Sequence, residues 1–278
     1  MEKTGWENLP RRLTGFINNC EMNKVSIEVF VCSHCLELLE EVRRLSCLDK
    51  EILKDGELLK VGLLSVNTTD YGADDIIIPT VEAIQRFYLD YPAQIEGSIS
   101  LIVDIDIVVP DADEASIPGI LFPTEYISLA SKLDIKTIFH LMITSSTIVG
   151  TMNSGAYLYI ESDSDINVPV LNMIAGTQPS VVYRKGCMGR YTVLNFNSWG
   201  LEISTNNQPP SIPALLLMRK IQNVEVLGLY CKENSLDSHV DITCYSISSE
   251  PLCFQLEPVF FTFLHKLHVN YLDVDFLN

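Results

Sequence analysis

The sequence lacks long hydrophobic runs and has few basic residues. Apolar residues make up 47% of the chain but lie in short runs, whereas a membrane helix needs about 20 consecutive apolar residues. Lys and Arg number 19 against 36 Asp and Glu, for a net charge of −17, and basic residues never form more than a pair. Nucleic acids and anionic membranes both attract clustered basic residues. We therefore expect no membrane span and no direct, general nucleic-acid binding.

Secretory and catalytic motifs are also missing. The start, MEKTGWENLPRR, has no apolar signal-peptide segment. Eight cysteines without such a signal indicate free thiols in a reducing compartment. We therefore expect an intracellular protein of the cytoplasm or nucleus that is not secreted. No phosphate-binding glycine loop, Rossmann fingerprint, Gly-x-Ser-x-Gly or His-Glu-x-x-His occurs, and no period of 20–50 residues recurs. The sequence predicts no catalytic residue and no cofactor, with zinc as the alternative.

The hydrophobic pattern predicts an α+β fold with mixed, mostly antiparallel sheets, a few short helices and two lobes. Residues 24–31 alternate like a strand, 36–47 like an amphipathic helix, and 58–66 like a second strand. The segment Pro110–Pro123 carries three prolines and an acidic cluster, as linkers do. We predict an N-terminal α/β lobe over 1–109, a linker over 110–123 and a mostly β lobe over 124–278.

Three further segments predict specific elements. The apolar run DDIIIPT predicts a strand closed by Pro79, and Val224–Tyr230 predicts another. A helix from Thr124 precedes strands at 138–144, 147–151 and 156–161. A helix followed by a three-strand meander resembles the half-domain of sliding clamps. That resemblance implies a clamp-like partner of DNA-processing proteins.

A Cys-x-x-Cys turn, Cys32 to Cys35, lies between a predicted strand and a predicted helix. A helix N-terminus beside the first sulfur would stabilise its thiolate. With the Ile-Pro-Thr segment downstream, this order resembles a thioredoxin unit and implies thiol-redox chemistry. The same cysteines belong to the spacing C-x11-C-x2-C-x11-C, formed by Cys20, Cys32, Cys35 and Cys47, which predicts a zinc site. The third interpretation is that of buried, inert thiols.

Asp104 and Asp106 form a second candidate site. On a strand they share one face about 7 Å apart, a spacing that suits a magnesium site. The upstream Gly97-Ser98 pair resembles the glycine–serine turn of nucleotidyltransferases. The alternative is a solvated strand face, on which acidic residues maintain solubility.

The C-terminal segment is apolar and aromatic. Mean hydropathy is +0.19 without any membrane-length run, so we expect apolar surface that contacts other proteins. The predicted interface residues are Phe260, Phe261, Phe263, Tyr271 and Phe276. The leading hypothesis is a non-enzymatic assembly or scaffold protein that forms homo- or hetero-oligomers, with a viral structural or assembly component as one form of it. The alternatives are a thiol-redox or zinc-dependent protein and the clamp-like partner.

Overall fold

The computed structural model describes residues 24–45, 51–69, 74–90, 99–109, 119–143, 152–188, 193–245 and 251–277. The strands are β1 Lys24–Ser33, β2 Leu53–Asp55, β3 Leu58–Thr68, β4 Ser100–Val109, β5 Ile120–Pro123, β6 Lys136–Ile143, β7 Asn153–Ser162, β8 Val181–Tyr183, β9 Asn197–Asn206, β10 Asp237–Tyr245, β11 Leu252–Leu256 and β12 Tyr271–Leu277. The helices are α1 Leu36–Leu45, α2 Asp74–Asp90, α3 Thr124–Lys132, α4 Val168–Ala175, α5 Ser211–Lys220, α6 Val224–Glu233 and α7 Pro258–Lys266. None of these helices is long and apolar enough to cross a membrane.

The strands form two mixed, mostly antiparallel sheets of six strands each, which confirms the predicted α+β class. The first sheet has the order β2-β3-β1-β4-β6-β11, and the second has the order β8-β9-β7-β10-β12-β5. Each contains one parallel pair, β4 with β6 and β10 with β12. The other strand pairs of both sheets are antiparallel.

The two sheets arise from an internal repeat of one arrangement. Residues 24–143 run strand, helix, hairpin, helix, strand, strand, helix, strand, and residues 153–277 run in the same order with one extra helix. Corresponding strands pair in the same way, including the parallel pair. This repeat is much longer than the 20–50-residue periods considered from the sequence, which explains why the sequence pattern did not indicate it.

Each half of the chain contributes one edge strand to the sheet of the other half. β5 pairs with β12 in the second sheet, and β11 pairs with β6 in the first. Because β6 and β11 both follow the predicted linker at 110–123, the sheets do not correspond one to one with the predicted lobes. Residues 110–118 of that linker lie outside the described ranges.

An aromatic cluster joins the two sheets. Phe139 of β6 stacks on Phe254 of β11 with ring centroids 4.7 Å apart, and it lies 6.3 Å from Phe276 of β12. Phe122 of β5 meets Phe139 edge-on at 6.0 Å. These rings come from both sheets and are at most 4% exposed. Burying each one stabilises the fold by about 2–3 kcal/mol, so the sheets share one core.

The predicted strand over DDIIIPT is wrong, because residues 74–80 form the first turns of α2, with Pro79 inside it. Ile76 and Ile77 are buried while Ile78 is exposed. A short run of isoleucines fits a buried strand and a buried helix equally well. The proline that supported the thioredoxin resemblance therefore lies in a helix.

The strand predicted over Val224–Tyr230 is also wrong, because these residues belong to α6. Gly228 allows α6 to pack closely on the end of α7, where a Cβ would collide with the carbonyl oxygen of Lys266. This tertiary contact is invisible in local periodicity. The predicted meander is not formed either, since β6 and β7 lie in different sheets. Its middle strand, 147–151, falls outside the described residues.

Candidate functional site

Each sheet has one apolar face in the core and one polar face. In β4 the odd-numbered residues from Leu101 to Ile107 are buried, whereas Asp104 and Asp106 are half-buried. The central strand of the second sheet, β10, alternates in the same way. The polar faces therefore contain charged side chains on central strands, where a ligand or a partner can contact them.

On the first sheet, a row of chemically active side chains crosses three strands. Asp106 of β4 lies opposite His140 of β6, and His140 lies opposite Cys253 of β11. Asp104 stands two residues before Asp106 on the same face. One ligand atom from each of Asp104, Asp106 and His140 lies within 4.8 Å of the others.

His140 has negatively charged surroundings. Its Nε2 atom lies 2.8 Å from Asp104 Oδ1, the distance of an ion pair. Even so, Asp104 Oδ1 and His140 Nδ1 are both buried and receive no well-aligned hydrogen bond. Burial alone would lower the pKa of His140, but the Asp104 carboxylate and the Cys253 thiol raise it to about 10. The site thus favours a positive charge.

The structure places Asp104 and Asp106 on one polar face, as the D-x-D pattern predicts, and it adds His140, which was not predicted. The available signal was a histidine within the predicted strand at 138–144. Locating it beside Asp106 requires the parallel pairing of β4 with β6, which local sequence pattern does not reveal. The predicted magnesium site remains a prediction.

The polar face of the second sheet has an aromatic row. His239 of β10 lies opposite Tyr159 of β7 on one side and Tyr271 of β12 on the other. Its ring centroid is 5.4 Å from that of Tyr159 and 4.9 Å from that of Tyr271. The Tyr159 ring passes over Gly200 of β9, where a Cβ would lie 2.8 Å from it. Because Gly200 has no side chain, the Tyr159 ring lies close to the backbone of β9.

An acidic row runs next to the aromatic one. Glu202, Tyr157, Asp241 and Asp273 face one another in succession across β9, β7, β10 and β12. The Tyr159 hydroxyl donates a hydrogen bond to Glu202 Oε1 at 3.1 Å. Burial, together with the negative charges of Asp273, Asp275 and Glu161, raises the pKa of Asp241 from 3.8 to about 7. His239 of this face does not offset the negative charge as His140 does on the first sheet, because burial lowers the pKa of His239.

The Cys-x-x-Cys turn adopts the predicted strand–turn–helix, with Cys32 at the end of β1 and Cys35 directly before α1. Burial raises the pKa of the Cys32 thiol to about 12, the opposite of the lowered pKa expected for a redox thiolate. Cys35 is exposed. No third potential ligand joins these two cysteines within the described ranges. Cys20 and Cys47 lie outside those ranges, so the four-cysteine zinc site stays a prediction.

The predicted interface residues lie mainly in the core of this chain. Phe260, Phe261, Phe263 and Phe276 are at most 5% exposed, and Tyr271 is half-buried on the polar face of the second sheet. Burial inside the fold explains the apolar character of the C-terminal segment. The predicted contact of this segment with other proteins stays a prediction, for which Tyr271 alone of the five offers appreciable surface.

Comparisons of this chain with protein-family models, curated proteins and solved structures gave no match.

Proposed function

We propose that this chain is a non-enzymatic binding protein that acts through protein–protein contacts. Its partner is a basic protein, and the polar face of the second sheet is the binding surface. The supporting observation is the charge of that face. The six strands of the second sheet carry six acidic residues and no Lys or Arg. The acidic residues are Glu161, Glu202, Asp237, Asp241, Asp273 and Asp275.

The raised pKa of Asp241 supports this choice of partner. Burial and the neighbouring carboxylates disfavour its negative charge, and Asp241 forms no ion pair with any residue of the described ranges. A Lys or Arg from a partner would supply the missing positive charge. Charge complementarity of this kind accelerates association and excludes partners of like charge.

The aromatic row supports the same partner class. Tyr159, His239 and Tyr271 provide ring surfaces beside the carboxylates, and cationic side chains bind favourably over aromatic rings. Two copies of this chain would repel each other through this face because each face is acidic. The partner is therefore a different, basic protein, and phosphate-bearing nucleic acid is repelled.

The test is calorimetric titration with a peptide of alternating arginine and serine, which stands in for a basic protein surface. The variant Glu202→Gln/Asp241→Asn/Asp275→Asn removes three carboxyl groups from the face. The control Glu37→Gln/Glu40→Gln/Glu41→Gln removes three charges from exposed positions of α1. We expect the face variant to bind at least tenfold more weakly and the control less than twofold more weakly. Equal losses would mean general attraction to an acidic chain and would contradict the proposal.

A further inference from the structure

The cluster of Asp104, Asp106 and His140 combines ligand types that bind divalent transition metals. The three residues project from adjacent parallel strands onto one face. Their ligand atoms all lie within 4.8 Å of one another. Four ligands at the usual zinc distances of 2.0–2.1 Å are themselves about 3.3 Å apart. Side-chain rotation can therefore bring the three ligand atoms to the separations of a zinc site.

The hydrogen bonding around this cluster is incomplete. Buried polar atoms in folded proteins nearly always have a partner, yet Asp104 Oδ1 and His140 Nδ1 are shielded from water and have no well-aligned hydrogen bond. The 2.8 Å approach of His140 Nε2 to Asp104 Oδ1 lacks the alignment of a hydrogen bond. His140 Nε2 and Asp104 Oδ1 are thus close together without a well-formed hydrogen bond between them. Two ligand atoms of one metal ion are arranged in this way.

We propose that Asp104, Asp106 and His140 bind a divalent transition-metal ion of the zinc type. An imidazole ligand selects such ions over magnesium and calcium, which prefer all-oxygen sites. The remaining coordination position is for Cys253, the next residue in the row, or for water. The site lies on the first sheet and is independent of the acidic face of the second.

Zinc titration of the chelator-treated full chain tests the proposal in a Cys32→Ser/Cys35→Ser background, which removes the competing cysteine pair. We expect one zinc ion per chain and a higher melting temperature with zinc, since a ligand specific for the native state stabilises it. His140→Gln and Asp106→Asn should each weaken binding at least tenfold. Asp241→Asn, a change of one acid on the second sheet, should leave the zinc affinity unchanged.

Circular dichroism establishes that each variant is folded. If His140→Gln does not fold, Asp106→Asn decides the question, because it replaces a carboxylate oxygen with an amide of the same size. Absence of zinc binding in the Cys32→Ser/Cys35→Ser background would overturn the proposal. Unchanged zinc affinity in a folded Asp106→Asn variant would overturn it as well. In either case the three side chains would form an ion pair between a protonated histidine and two carboxylates.

Discussion

The two sheets have the same strand order but differ in the charge of their polar faces. The strands of the first sheet carry four acidic and four basic residues, whereas those of the second carry six acidic residues and no Lys or Arg. Their apolar faces meet in one common core. The repeated arrangement thus preserves the side of the sheet that packs and differs on the side that faces solvent, where function is expected.

Asp104 and Asp241 illustrate this difference at equivalent positions. Each lies two residues after the first pair of its parallel ladder, on the polar face of a central strand. Asp104 has His140 as its neighbour, at 2.8 Å. Asp241 is surrounded by carboxylates, which together with its burial raise its pKa. The same backbone position therefore belongs to a candidate metal site in one sheet and to the proposed surface for a basic partner in the other.

The largest effect is expected where the sheets are joined. Phe139→Ala removes a fully buried ring that contacts aromatic residues from both sheets, so we expect a loss of about 3–5 kcal/mol in the free energy of unfolding. Denaturant unfolding is followed in a Trp6→Phe background, in which Trp199 of the second sheet is the one remaining tryptophan. Fluorescence and circular dichroism should then give coincident transitions. Val259→Ala, at a position 57% exposed, is the control and should cost less than about 0.5 kcal/mol. Separate transitions would show that the sheets unfold independently.

A medium effect is expected at Asp241. In the folded state the Asp241 carboxyl keeps its proton up to about pH 7. In the unfolded chain it releases the proton near the ordinary aspartate pKa of about 3.9. The resulting stability is fully present below pH 4 and is lost as the pH rises through 7. Asp241→Asn should therefore stabilise the protein at pH 8 by about 2 kcal/mol. This is half of the free energy that corresponds to the full pKa shift, a reduction that allows for solvent screening.

Thermal melts from pH 4 to pH 8 measure this difference. Asp241→Asn should match the parent at pH 4 and exceed it increasingly toward pH 8. Glu41→Gln, on the exposed side of α1, is the control and should follow the parent throughout. If Asp241→Asn is no more stable than the parent at pH 8, the charged Asp241 carboxylate does not destabilise the folded protein.

The smallest effect is expected at Gly200. Its Cβ would lie 2.8 Å from the Tyr159 ring and from Val181, so Gly200→Ala should displace the ring from the sheet at a cost of about 1 kcal/mol. We expect a several-fold loss of affinity for the arginine–serine peptide in calorimetry. Gly56→Ala, in the turn before β3, is the control for peptide binding. Its left-handed backbone (φ +63°) makes the alanine costly in stability too, but its Cβ meets nothing and lies outside the second sheet. Unchanged peptide affinity in Gly200→Ala would remove the aromatic row from the binding surface.

Local periodicity was sufficient to predict the α+β class and the elements around residues 24–66. The hydrophobic residues recur with a clear strand or helix period in β1, α1 and β3. This period can be seen within each segment alone, without knowledge of its partners in the fold. The prediction failed at α2 and α6, where apolar runs fit a strand or a helix and tertiary packing decides between them. Local structure was thus readable where the pattern was unambiguous.

The candidate sites depend on pairing between distant segments, which a single sequence does not reveal. Asp104 and Asp106 were predicted because they are two residues apart, but His140 joins them only through the β4–β6 ladder. The acidic and aromatic rows of the second sheet likewise require the registers of four strands. The apolar C-terminal segment was recognised, but the sequence could not distinguish burial in its own core from contact with a partner.

The central claim is that the second sheet, and not the first, is the surface for a basic partner. Amide chemical-shift mapping of the isotope-labelled chain with the arginine–serine peptide tests it most directly. We predict that saturable shifts concentrate in β7, β10 and β12, around Tyr157, His239 and Asp241, and leave β1, β4 and β6 unchanged. Shifts of equal size on both sheets, or shifts confined to the helices, would contradict the account.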